Sequence, residues 1–141
     1  MSTIKNLWSS DLLNEEDVIL PVTILQEQAS YLNNMTKNIV VAKINTVTSG
    51  GRIPVSRPNL IHILQIFAPA MGNYDFELVR LIQEQVFPYP LIVVASLTEI
   101  ETQVENSEEL EIALAKVFND KKTVSAIQSL IVQSKQYVGK Y

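Results

Sequence analysis

The segment 60–67 (LIHILQIF) constrains the fold more than any other part of the chain, because it is apolar at odd and even positions alike. A strand from a sheet with one solvated face alternates apolar and polar side chains, so this run predicts a sheet that is covered on both faces. The segment 91–95 (LIVVA) has the same property. The second face is therefore covered either by helices or by a partner chain, and we expect a homo-oligomer as readily as a monomer.

Four strands are predicted. The β-branched residues of 39–48 favour the pleated geometry, and residues 59–68 and 91–95 form two further apolar runs. The segment 74–83 fits a strand by alternation and a helix by the spacing of Phe76, Val79 and Ile82. We favour the strand, because the short turn at 69–73 suits a hairpin. Turns rather than helices separate these segments, which predicts an antiparallel meander.

The helices flank this strand region. Pro21 suits the first position of an N-terminal helix that ends near Asn33, Asn34 and Lys37. Asn106 with Glu109 three residues later predicts the start of a second helix, and a third begins near residue 119 or 120. The acidic segment 98–105 is expected to be a helical turn or a loop.

Together these elements predict a single α+β domain over residues 1–141, with an N-terminal helix, about four antiparallel strands and two C-terminal helices. Residues 1–20 are expected to form an irregular lead-in. Its apolar side chains Trp8, Leu12 and Leu13 are expected to pack onto the body of the domain.

Charge and composition exclude several kinds of function. The net charge of −4 and the pI of about 5.0 argue against nucleic-acid binding through a basic surface. The chain has no cysteine, which removes disulfides, thiolate nucleophiles and cysteine-ligated zinc. Neither a signal-peptide pattern nor an apolar run of about 20 residues is present, so we expect a cytoplasmic protein without membrane contact.

His62 is the only histidine, and it is the natural first candidate for acid or base catalysis. Its sequence neighbours Ile61 and Ile63 are apolar, and no adjacent acidic residue is present to orient the ring. We therefore interpret His62 as a structural residue that points from a strand to a hydrogen-bonding partner at the sheet surface. The sequence proposes no catalytic residue, no metal site and no cofactor.

Two groups of side chains are candidates for an interaction surface. Glu101, Glu105 and Glu109 have fourfold spacing, which would place them on one face of a helix and create an acidic docking surface for a basic partner. The alternative is an ordinary solvated helix start. Tyr74 and Tyr89 would lie near strand ends, where their rings either line a groove or pack against a helix edge.

The loop 49–58 is the strongest candidate for ligand binding. Gly50 and Gly51 free the backbone, while Arg52 and Arg57 offer forked donors to a carboxylate or phosphate. The loop lacks both the P-loop pattern and the dinucleotide-binding fingerprint, so a simple connector between strands is the alternative.

These observations favour a small non-catalytic protein that works through protein–protein interaction or self-assembly, such as an accessory, immunity or chaperone-like factor. The first alternative is a domain that binds an anionic small molecule through the loop 49–58. The second is a hydrolase that uses neither metal nor cysteine and is built from Asp, Glu and Tyr side chains.

Overall fold

The computed structural model describes residues 3–49 and 59–137. It is an α+β domain in which helices and strands follow the predicted order. The strands are β1 (Val41–Ser49), β2 (Asn59–Ala68), β3 (Tyr74–Glu84), β4 (Leu91–Ala95) and β5 (Ile100–Val104), and the helices are α1 (Pro21–Met35), α2 (Ser107–Phe118) and α3 (Lys121–Tyr137). Short 3-10 turns occupy Ser10–Leu13, Glu15–Asp17 and Pro69–Met71.

The five strands form one antiparallel sheet in the order β1-β2-β3-β4-β5. Each strand pairs with its sequence neighbour, which confirms the predicted meander. The turn between β2 and β3 ends at Gly72, whose φ of 68° suits glycine. The segment 74–84 is a strand, which confirms the predicted strand over the helical alternative.

One element differs from the sequence prediction. Residues 100–104 form β5 at the edge of the sheet, whereas 98–105 was expected to be a helical turn or loop. Four of its five side chains are exposed, so the segment has no alternating apolar pattern that could have revealed it. Its extended conformation is stabilised by the backbone hydrogen bonds that pair it with β4, whose own sequence is strongly apolar.

A β-bulge shifts the phase of β3. Leu64 pairs with Val79 and the next residue, Gln65, pairs with Glu77, so Leu78 is the extra residue. Leu78 and Val79 are both buried although they are adjacent in sequence. Before the bulge the even-numbered residues face the helices, and after it the odd-numbered residues do.

All three helices pack on the same face of the sheet. Along β2 the side chains of His62, Leu64, Ile66 and Ala68 are buried on this face. Core residues from each helix join them in one cluster: Ile24, Leu25 and Ala29 from α1, Leu110, Ala113 and Leu114 from α2, and Leu130 from α3. None of the three described helices covers the opposite face, which we call the open face.

The helix starts follow the sequence signals. Pro21 occupies the first turn of α1, where it needs no amide partner. The Asn106 side chain accepts a hydrogen bond from the Glu109 backbone amide at 2.9 Å and donates one to the Glu109 carboxylate at 3.2 Å. This reciprocal pair caps α2 as predicted.

The lead-in does not make the packing expected from its sequence. Trp8 is 77% exposed and Leu13 is 87% exposed, and Leu12 is also exposed, so these side chains do not pack onto the body of the same chain. The lead-in is instead held at its end, where the Tyr89 hydroxyl donates a hydrogen bond of 3.1 Å to the carbonyl of Ile19.

Candidate functional site

The open face carries a continuous row of apolar side chains across four strands. The register pairs Val47 with Ile61, Ile61 with Ile82, and Ile82 with Ile92. Paired residues of antiparallel strands point to the same face, so these four side chains stand next to one another. Val47 is 39% exposed and Ile92 is 37% exposed, and the two central isoleucines are half-buried. We call these four residues the apolar row.

A second row of the open face runs parallel to the apolar row. It contains Ile63 on β2 and Val94 on β4, with Arg80 between them on β3. Ile61, Ile63, Ile82 and Val94 do not belong to the core cluster beneath the sheet or to the side chains packed against it. The open face is therefore apolar at its centre without being part of the core.

Polar and charged residues surround this centre. On β3 the Arg80 guanidinium donates to the Glu77 carboxylate, with 3.0 Å between Nε and Oε2. The Ser96 hydroxyl donates to the same carboxylate. Hydrogen bonds from Arg80 are the main reason that the pKa of Glu77 lies below its ordinary value; partial burial opposes them and the Ser96 hydrogen bond adds to them.

His62 lies on the opposite, helix-covered face and is 3% exposed. Its Nδ1 is 2.8 Å from the Thr46 hydroxyl and its Nε2 is 3.2 Å from Gln83 Oε1. The Gln83 amide nitrogen donates to the Glu84 carbonyl, which directs Oε1 toward the ring. His62 Nε2 is then the protonated nitrogen and Nδ1 accepts from Thr46.

Burial is the main influence on His62 and lowers the pKa of its imidazole, while the hydrogen bond to Gln83 partly opposes this effect. The ring is neutral and both of its nitrogens are engaged. This confirms the structural interpretation of His62 as a strand residue with hydrogen-bonding partners.

A groove lies between the edge strand β5 and helix α2. Its cavity has a volume of about 300 Å³ and is lined at depth by apolar side chains of β4, β5 and α2, including Val93, Val104 and Ala113. Glu109, Lys116 and Asp120 line it as well. The Glu109 carboxylate accepts a hydrogen bond of 3.2 Å from the side-chain amide of Asn106, and the Asp120 carboxylate accepts one of 2.9 Å from the backbone amide of Lys122.

The acidic residues named from sequence do not share one helical face. Glu101 is on β5, Glu105 follows that strand, and Glu109 is in the first turn of α2. The prediction that their fourfold spacing places the three glutamates on one face of a helix is therefore wrong. Glu101 belongs to the open face, because it pairs with Val94, whereas Glu109 faces the groove.

The two tyrosines are also separate. Tyr74 begins β3 and is exposed, whereas Tyr89 lies in the connection that follows the other end of that strand. Burial is the main cause of the raised pKa of the Tyr89 phenol, and the charge of Glu111 adds to it. The structure therefore does not bring Tyr74 and Tyr89 into one site.

Gly50, Gly51, Arg52 and Arg57 lie outside the described residues, so the predicted ligand loop stays a prediction. Within 3–49 and 59–137, no group of three or more metal-ligating side chains is found. In the same part of the chain no helix is long and apolar enough to cross a membrane. The chain matches no protein-family description, no curated protein and no solved structure.

Sequence reasoning missed the apolar row as a site, although it noted the double-faced apolar pattern of 60–67. The row is assembled from four strands, and its members are far apart in sequence. Only the register brings Val47, Ile61, Ile82 and Ile92 together. The signal in the sequence was the apolar residues at odd positions in β2.

Proposed function

We propose that this protein is a non-catalytic binding protein whose docking surface for another protein chain is the open face of the sheet. The single observation that carries this proposal is the apolar row, which remains accessible although all three described helices are available to cover the sheet. Apolar side chains grouped on a surface and rimmed by polar ones are the usual composition of a protein interface.

The rim of the open face fits this role. Lys43, Glu77 and Glu101 lie around the apolar centre. Arg80 lies between Ile63 and Val94 and forms a bidentate ion pair with Glu77. Charged residues at a rim contribute more to specificity and association rate than to affinity. The apolar row then supplies most of the binding energy, at about 25 cal/mol per Å² of apolar area removed from water.

The polar groups best suited to catalysis have structural hydrogen bonds instead. His62 is buried between Thr46 and Gln83. Of the two carboxylates of the groove, Glu109 accepts a hydrogen bond from the side-chain amide of Asn106, and Asp120 accepts one from the backbone amide of Lys122 at the start of α3. These contacts support a binding role over the hydrolase alternative. The cytoplasmic location and the lack of a nucleic-acid partner remain part of this proposal.

Site-specific photo-crosslinking in the native host tests the docking surface. The photoreactive residue p-benzoylphenylalanine is placed at Ile82, at the centre of the apolar row, and in a matched variant at Val132, an exposed apolar residue of α3. We expect a discrete crosslinked product, to this chain or to another protein, from position 82 and not from position 132. Adding Ile92→Lys is expected to abolish that product.

Two crosslinking results would contradict the proposed docking surface. No discrete product at position 82, or equal products at 82 and 132, contradicts the proposal. A product at 82 that persists at full yield in the Ile92→Lys background also contradicts it, because the apolar row would then not be required for binding.

The groove between β5 and α2 supports a second candidate, the binding of a small apolar molecule. Ligand sites are concave, mainly apolar and about 300–1,000 Å³ in volume. The groove is at the lower end of this range, at about 300 Å³. Binding of an anion by Arg52 and Arg57 in the loop 49–58 remains an independent proposal that rests on sequence alone.

A further inference from the structure

We call the described part of the lead-in, residues 3–20, the arm. It carries large apolar side chains that the other described residues do not cover. Leu7 is 89% exposed, and Ile4, Trp8 and Leu12 are also exposed. Burying one leucine or isoleucine side chain is worth about 1.5–3 kcal/mol, so this exposure leaves a large binding energy unused in a single copy.

The arm has the spacing of an amphipathic helix, although residues 3–9 are not helical in the free chain. Ile4, Leu7, Trp8 and Leu12 follow the i, i+3, i+4, i+8 pattern that places side chains on one helical face. Asp11, at i+7, lies on the same face one turn beyond Leu7, toward the end of the arm. Leu13 falls on the opposite side of such a helix. Segments with this pattern fold on docking and present their apolar face to a hydrophobic surface.

The dimensions of the arm match those of the apolar row. Residues 4–13 in helical form are about 15 Å long. The apolar row runs from β1 to β4, which is three strand spacings or about 14 Å. If the arm forms a helix that lies across the strands along the apolar row, the apolar face of this helix contacts all four side chains of the row.

The charges at the two edges of the open face give the docked arm a direction. Lys43 is on β1 and Glu101 is on β5, at opposite edges of the sheet. The arm carries Lys5 near its beginning and Asp11 and Glu15 further along. Docking with the beginning of the arm toward β5 places Lys5 on the side of Glu101 and Asp11 on the side of Lys43. Lys43 is four residues, or about 13 Å, along β1 from Val47, so these unlike charges favour one orientation of the arm at a distance rather than through ion pairs.

The point where the arm leaves the domain favours a second copy as the recipient. The arm is tied at Ile19 to the hydroxyl of Tyr89, and the Tyr89 ring packs against the core on the helix-covered side of the sheet. The arm therefore starts on the side of the sheet away from its own open face. Its own open face and its own apolar side chains both remain exposed.

We infer that the arm of one copy docks as an amphipathic helix on the apolar row of a second copy, and that the reciprocal contact forms a symmetric dimer. This inference rests on the proposed function of the open face and names its partner. One docked arm buries on the order of 500 Å² of its own apolar surface. Each apolar row is already more than half covered and adds on the order of 250 Å², so two arms and the two rows beneath them bury about 1,500 Å², within the range of stable protein interfaces.

Trp8 makes this inference directly measurable, because it is the only tryptophan in the chain. Light scattering and Trp8 fluorescence are recorded on the full chain over a concentration series. We expect twice the monomer mass of 15.8 kDa and a blue-shifted emission at high concentration, with both lost together on dilution. Leu7→Ser is expected to weaken the dimer at least about 10-fold.

The matched control is Leu13→Ser. Leu7 and Leu13 are equally exposed in the free chain, so neither substitution disturbs the core, but only Leu7 lies on the docking face of the arm. Leu13→Ser is therefore expected to leave the dimer unchanged. Ile82→Lys on the open face is expected to dissociate it.

Three results would overturn the inference, and they are distinguishable from a failure of the proposed function. A monomer with blue-shifted Trp8 emission at every concentration means that the arm docks on its own sheet. A dimer equally stable in both leucine variants means that the arm takes no part. A monomer whose Trp8 emission stays that of a solvent-exposed ring at every concentration means that the arm does not dock on a second copy. In that case a crosslink from position 82 to another protein would still support the open face as a docking surface.

Discussion

Glu77 and Arg80 lie three positions apart on the same strand, yet their side chains form a bidentate pair on one face of the sheet. In a regular strand residues three positions apart point to opposite faces. The bulge at Leu78 adds one residue to β3 and restores the two side chains to the same face. The ion pair and its Ser96 partner are therefore a product of the bulge.

Glu77→Gln is expected to destabilise the fold by about 1 kcal/mol or less at pH 7, because the pair is partly exposed to solvent. The lowered pKa of Glu77 means that its contribution to stability is present above the unfolded value of 4.5 and is lost as the pH falls through the folded value. Urea unfolding of both proteins between pH 7 and 3 measures this difference.

The matched control for this substitution is Glu101→Gln, which changes an exposed carboxylate on the same face of the sheet, on the edge strand β5. It leaves the contacts of Glu77 with Arg80 and Ser96 in place, so the loss of stability that these contacts produce at acid pH is expected to persist. Equal acid profiles for the wild type and Glu77→Gln would show that the Arg80 contact contributes nothing to folding.

His62 predicts a second, separate pH dependence. Burial lowers its folded pKa below the value of 6.5, so below pH 6.5 the unfolded chain takes up a proton that the folded chain does not. Stability is therefore expected to fall as the pH decreases from 7.5 to 5.5. His62→Gln is expected to reduce the dependence of the free energy of unfolding on pH between 7.5 and 5.5, whatever its effect on the free energy itself. Glu77→Gln is expected to keep the wild-type dependence in this range. An unchanged slope in His62→Gln would assign the pH dependence to other groups.

The sequence was sufficient for elements whose stability comes from local pattern. The bounds of β2 and β4 match the predicted segments 59–68 and 91–95, because a dense apolar run between turn residues permits little else. The cap formed by Asn106 and Glu109 was equally visible, because both of its hydrogen bonds join residues three positions apart.

Features that depend on distant residues were not predictable in the same way. The segment 74–84 fitted two periods, because the bulge at Leu78 reverses its alternation halfway along the strand. The strand β5 is set by its pairing with β4 and carries little apolar pattern of its own. The apolar row combines residues from β1 to β4, so it becomes visible only when the register is known.

The loop 49–58 yields a prediction that rests on its composition. If Arg52 and Arg57 bind an anion, inorganic phosphate or citrate is expected to raise the melting temperature of the wild type, because a ligand that binds only the folded state stabilises it. The double substitution Arg52→Ala with Arg57→Ala is expected to remove that shift without changing the melting temperature in the absence of anion. Lys121→Ala with Lys122→Ala, two exposed cations at the start of α3, is the control and is expected to keep the shift. No shift in the wild type with either anion would leave the loop as a connector.

The groove between β5 and α2 is tested by filling it from its edge strand. Thr102 lines the groove and its side chain is exposed, so Thr102→Trp places an aromatic ring over the cavity without altering the buried core. We expect octan-1-ol to perturb the amide resonances of Ala113 and Val104 in the wild type, because its alkyl chain fits the apolar depth of a 300 Å³ site. Thr102→Trp is expected to abolish these perturbations. Thr48→Trp, the corresponding exposed threonine on the other edge strand, is expected to preserve them. Perturbations at Ile61 and Ile82 instead would show that the alcohol binds the open face. This result would contradict the proposal that the groove binds a small apolar molecule.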